Sequence, residues 1–219
     1  MKRTILILSA LLISTTVFVM ATKANPQTTE INPISENDTQ TYLKEFEKVI
    51  TIPEDYKFHS VEKVKANKIP AYLFRFEKQE NKGWEGEHFS FIISENKEIL
   101  GYTNMDKKYA NTKILSKTET ENIAKKFLSK IDQNLADNLK NLWIERHDEE
   151  IIINGKKTIL AGMKYKCYRS SEDDYTWVIV GFDGSIITFE RNIKWNDFAQ
   201  KRITEKWLHD NYRKKIKHQ

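Results

Sequence analysis

The chain switches between two hydrophobic periods. Tyr42, Leu43, Phe46, Val49 and Ile50 recur at the spacing of one helix face. Asp38 or Thr39 offers a cap for that helix, and Pro53 ends it. Period two follows. Residues 57–65 alternate polar and apolar, and in AYLFRFE the side chains of Tyr72, Phe74 and Phe76 oppose Leu73 and Arg75. In HFSFIIS, Phe89, Phe91 and Ile93 share a face, and a turn near Asn96-Lys97 leads into EILGYT. Helical spacing returns at Ile123, Ala124, Phe127, Leu128 and Ile131, behind the capping box Ser116-Lys-Thr-Glu119. Strands resume with WIERHDEEIII, the hairpin signal Asn154-Gly155, KKTILAGMKYKCYR, YTWVIVGF, a turn at Asp183-Gly184, and SIITFER. A last amphipathic stretch carries Phe198, Ile203, Trp207, Leu208, Tyr212 and Ile216.

Strands grouped between helices predict an α+β fold with antiparallel sheets. Superimposing residues 91–103 on 178–190 matches Ile92 with Ile179 and Ile99 with Ile186, and a helix precedes each strand group. The pattern therefore predicts two repeats, 38–112 and 113–195. Each is a helix followed by an about four-stranded antiparallel sheet. A C-terminal amphipathic basic helix over 196–219 completes the expected organisation.

The N-terminus changes the picture of where the protein works. Lys2 and Arg3 precede an apolar run of about 16 residues, shorter than the roughly 20 of a spanning helix. Small residues follow at Ala21 and Ala24. This is the build of a signal peptide over 1–24, with cleavage after Ala24 or Ala21, and a retained membrane anchor is the alternative. Residues 25–37 read as a flexible leader.

The formal net charge is +5. Removing residues 1–24 takes away Lys2, Arg3 and Lys23 and leaves +2, which does not point to nucleic acid. From Lys201 onward the local charge is +5. Positive charge there complements a helix C-terminus, and a second reading is contact with anionic membrane or cell-wall polymer. The single Cys167 forms no internal disulfide and reads as a buried, inert thiol on the Met163–Tyr165 strand face.

Three segments resemble a known family. IPEDYKF at 52–58, the helix TETENIAKKFLSKI at 118–131, and GFDGSIITFERNIKW at 181–195 resemble the YcdB/YcdC-type repeated domain, a relative of the PepSY domain. The resemblance spans about residues 38–195. It implies an exported bacterial protein that binds or restrains an envelope or secreted partner, including peptidases. It carries over no catalytic residue and no cofactor.

The candidate chemistry is sparse. The loop EKQENKGWEGEH, 77–88, holds Trp84 as a candidate partner-binding side chain. It also holds Glu85, Glu87 and His88, which a small secreted hydrolase could use as acid and base, although their spacing is not that of HExxH. Trp207, Lys214 and Lys215 in the last helix are further candidates for partner or surface contact. No GxSxG, P-loop or dinucleotide loop is present, and seven glycines leave little for a phosphate cradle. No metal or cofactor is expected.

Overall fold

The computed structural model describes residues 34–80 and 84–217. The segments read as signal peptide, 1–24, and most of the one read as leader, 25–37, lie outside the described residues. The element order is α1 Glu36–Glu47, β1 Tyr56–Ala66, β2 Ile69–Lys78, β3 His88–Ser94 and β4 Ile99–Met105. A 3₁₀ turn, Lys107–Tyr109, comes next. Then follow α2 Lys117–Ile131, α3 Gln133–Asp137, β5 Lys140–Ile153, β6 Lys156–Arg169, β7 Asp174–Val180, β8 Ile186–Ile193, the short β9 Trp195–Asn196 and β10 Lys201–Arg202, and α4 Asp210–Lys217.

Local signals account for most boundaries. Ser116 accepts from the Glu119 amide while the Glu119 carboxylate accepts from the Ser116 amide, completing the capping box. The β5–β6 hairpin turns at Asn154 (φ 49°) and Gly155 (φ 74°), both left-handed, as a two-residue hairpin requires. Ser35, not Asp38 or Thr39, caps α1, accepting from the Asp38 amide at 3.1 Å.

The expectation of two repeats, each a helix with its own sheet, is overturned. All eight long strands form one antiparallel sheet in the order β1-β2-β3-β4-β8-β7-β6-β5. The joint is β4 against β8, with Gly101 opposite Glu190, Tyr102 opposite Phe189 and Thr103 opposite Thr188. Two separate meanders would have left β4 and β8 as exposed edges, and pairing them removes both. One apolar core also crosses the joint. Phe46 of α1 stacks on Phe91 with centroids 3.8 Å apart, and Phe127 of α2 packs against both Tyr102 and Phe189. A Cβ on Gly101 would stand 2.7 Å from the Phe189 carbonyl, so only glycine lets the joint close.

The expected basic helix over 196–219 is also corrected. Among the described residues of this stretch only Asp210–Lys217 is helical, and residues 195–202 form a small hairpin. The apolar positions of this stretch divide between roles. Leu208 is buried, while Phe198 is fully exposed.

The sheet thus has two differently covered faces. Helices α1 and α2 lie over the face of Phe74, Phe91, Tyr102, Tyr165 and Phe189. The opposite face carries Leu73, Arg75, Ser90, Thr103, Trp177 and Glu190, and the C-terminal segment crosses it. The long β5–β6 hairpin brings Ile151 and Leu160 against Met105, Ile179 and Ile187 on that same side. Cys167 lies under the helices, fully buried, and burial pushes its thiol up to about 11.

Candidate binding cleft

Arg75 is the starting point. It sits in a strand of apolar neighbours, so its side chain emerges on the face away from the helices. Burial demands a partner for its charge. Asp210, the first residue of α4, supplies one: Arg75 Nη1 and Nη2 donate to its two carboxylate oxygens at 2.7 and 3.0 Å. The Glu85 amide donates to the same carboxylate at 2.7 Å. Burial pushes the Asp210 carboxyl up, but the Arg75 charge and these hydrogen bonds hold it below its ordinary range.

This anchor places α4. One turn on, Arg213 reaches Glu62 of β1 at 2.6 Å through Nη2. Trp84 closes the group from the β2–β3 loop. The Arg213 guanidinium and the Lys217 ammonium lie 4.7 Å from its ring centroid, and Arg75 lies 5.6 Å away. The loop is pinned further by Ile152, whose amide donates to the Glu85 carbonyl at 2.6 Å.

A cleft of about 610 Å³ opens between this cluster and β1, lined by Phe58, His59, Glu62, Trp84, Arg213 and Lys217 among others. Strand β1 is a sheet edge, paired on one side only. Phe58 is 50% exposed and Trp84 37% exposed. Among the described residues, two buried donors of Arg213, Nε and Nη1, meet no hydrogen-bond acceptor.

A second, smaller cavity of about 200 Å³ lies between the β2–β3 loop, β5 and α4, lined by Glu85, His88, Glu149, His209 and Asp210 among others. His88 Nδ1 donates to the Gly86 carbonyl at 2.8 Å, and its Nε2 has no partner among the described residues. Burial, with Arg75 nearby, lowers the ring to about 4 and keeps it neutral. Beside it, Glu190 accepts from both Arg202 and the Trp177 indole. Burial pushes Glu190 up, yet Arg202 and His209 hold it far below the usual carboxylate range. For His209, burial favours the neutral ring, but Glu190 outweighs it and raises the pKa.

The sequence candidates separate. Trp84 roofs the cleft. Glu85 and His88 share the smaller cavity, whereas Glu87 turns to Lys78 at 3.0 Å and the Lys107 amide at 3.1 Å. Alternation along the strand start sends these neighbours apart. Trp207 donates its indole N–H to the Lys65 carbonyl at 2.7 Å, which fixes the C-terminal segment to β1. Lys214 pairs with Glu85, and Lys215 lies on the exposed side of α4. Sequence reasoning missed Arg75, Asp210 and Arg213. The one available signal was a charge inside the Phe-rich strand AYLFRFE. Among the described residues no group of three or more His, Cys, Asp or Glu could hold a metal ion. Among the described residues no helix is long and apolar enough to cross a membrane.

Compared with known protein families, curated proteins and solved structures, the chain finds no match.

Proposed function

We propose that this chain is an exported, non-enzymatic binding module of the PepSY-like kind, which engages an envelope or secreted protein through the Trp84 cleft. The observation that carries the reading is the cleft itself. It joins a sheet edge to two exposed aromatic side chains, and its walls are held by buried charge pairs. An edge strand recognises an extended peptide by main-chain hydrogen bonds, and exposed aromatic anchors supply much of the energy in such contacts. The signal-peptide pattern at 1–24 supports the site of action. A photo-crosslinking amino acid at Trp84 or Phe58, activated in intact cells, tests it. A discrete protein adduct at either position is expected, and no adduct at both overturns the reading.

A second reading is favoured by one feature, the unpartnered Nε2 of His88 in a cavity with Glu85 and Glu149. A neutral imidazole beside carboxylates is the raw material of general acid–base hydrolysis. A broad ester and peptide substrate screen of the purified protein decides it. Turnover lost in both His88→Gln and Glu149→Gln supports a hydrolase, and absence of any turnover removes it.

A further inference from the structure

Arg213 is the least satisfied charged group beside the cleft. Its side chain is 3% exposed, yet of its donors only Nη2 finds an acceptor, Glu62. Among the described residues Nε and Nη1 are buried and unpartnered, and an Asp210 carboxylate oxygen stands 4.0 Å from Nη1. Buried polar groups in folded proteins are almost always paired, so such donors mark a place where an acceptor from elsewhere fits.

The charge balance points the same way. Arg75 is neutralised by Asp210 and by Glu77, the second carboxylate of the lining, and Lys78 by Asp55, Glu87 and Asp106. That leaves Arg213 and Lys217 to share the single carboxylate of Glu62, at 2.6 and 3.4 Å. Lys57 adds a further cation to the wall, its ammonium bonded only to the neutral Glu54 carbonyl at 3.0 Å. The wall is short of negative charge. Along its floor runs β1, the last strand of the sheet, whose outer edge is met by the Trp207 indole at the Lys65 carbonyl and is open to another strand before it. Phe58 and Trp84 stand beside it as apolar contacts.

We infer that the cleft takes an acidic peptide segment, laid along β1 as an added strand, with one of its carboxylates received by the free donors of Arg213. The inference rests on the binding reading above and narrows it to a class of partner. A guanidinium supplies several fixed donors to a carboxylate, which an ammonium does not. The bulge in β1 at Phe58/Ser60 limits the added strand, because regular pairing breaks there. Docking therefore runs along residues 60–63, short of the Lys65 carbonyl that the Trp207 indole occupies, and places the peptide carboxylate beside Glu62 and Arg213.

The test is calorimetric titration of the full chain with two capped hexapeptides at low salt, one alternating Glu and Val, the other Gln and Val. The Glu peptide is expected to bind at least about tenfold more tightly, one decade of affinity for a charge-assisted contact. Lys217→Gln, a surface change that leaves the fold intact, is expected to weaken the Glu peptide about threefold. Arg213→Lys, checked for an unchanged circular dichroism spectrum, is expected to weaken it about tenfold, since charge is kept and donors are lost. Equal binding of the two peptides, or no effect of both variants, overturns the inference. Inorganic phosphate competing at the peptide's own concentration also overturns it, by showing a general anion site. If the Glu peptide does not bind while the Trp84 crosslink still captures a protein, the inference fails and the binding reading stands. If neither occurs, both fail.

Discussion

The two faces of the sheet are covered by different physics. Beneath α1 and α2 the contact is aromatic and dry. Phe46, Phe91 and Phe74 stack with centroids 3.8 and 4.6 Å apart, and Phe89 meets Phe46 edge-on at 5.9 Å. Across the other face the C-terminal segment is held by Asp210 on Arg75, Arg202 on Glu190, Arg213 on Glu62 and the Trp207 indole on the Lys65 carbonyl, with Leu208 as its one buried apolar side chain. Apolar burial is non-directional and tolerates repacking, whereas a buried ion pair fixes geometry and fails when one partner is lost. The helix face therefore holds the fold, and the opposite face places side chains.

The hardest test of that contrast is Phe91→Ala, which removes the ring stacked on Phe46 and Phe74. A loss of about 4 kcal/mol is expected in urea unfolding, the usual cost of a large core cavity. A loss below about 1 kcal/mol would break the claim that this face carries the fold. Asp210→Ala comes next. It takes the acceptors of both Nη groups from Arg75, which keeps Glu77 alone, and frees the Glu85 amide, and about 3 kcal/mol is expected because a buried charge loses its bidentate partner. Amide hydrogen exchange should show the change confined to 195–217 and the Trp84 loop, with the helix face still protected.

The acid limb of stability sharpens the comparison further. Glu190 is held below its ordinary pKa, so its contribution is full above the unfolded value of about 4.3 and is lost as pH falls through the folded value. Glu190→Gln should flatten the fall in melting temperature below about pH 4. His209 works in the opposite sense. Its pKa is raised, so its contribution is full below about 6.5 and is lost as pH rises through the folded value. His209→Asn should abolish a decline in melting temperature on the alkaline side. Unchanged pH profiles in both variants would mean that the charged face contributes little. The smallest effect on stability belongs to Trp84→Ala, about 1 kcal/mol from lost cation–π contacts at a partly exposed site. Partner capture in a pull-down from intact envelopes should nonetheless disappear.

Much of the local structure was legible. The Ser116–Glu119 box, the Asn154-Gly155 turn and the alternation of Phe74, Phe76, Phe89 and Phe91 follow from spacing alone. Cys167 was also legible, because period two assigns it to the face of Met163 and Tyr165. The C-terminal helix was misread because a helical stripe and a folded-back segment both collect apolar residues, and Phe198 and Ile203 are exposed while Leu208 is buried. At the candidate site only Trp84 stood out, since a lone aromatic among polar loop residues is visible in sequence. Arg75, Asp210 and Arg213 were not, because Arg75 meets them across more than a hundred residues of chain.

The sequence by itself determined most of the elements, the Ser116–Glu119 cap and the Asn154-Gly155 turn, and the apolar face of the long strands. Those depend on periods of two and 3.6 and on neighbours within a few residues. Tertiary structure decided that two groups of four strands become one sheet of eight, through the fit of Gly101 against the Phe189 carbonyl and an aromatic core that crosses the joint. It decided too which charges meet beneath Trp84. Edge pairing and buried ion pairing are contests between distant partners, and a single strand's pattern carries no record of which partner wins.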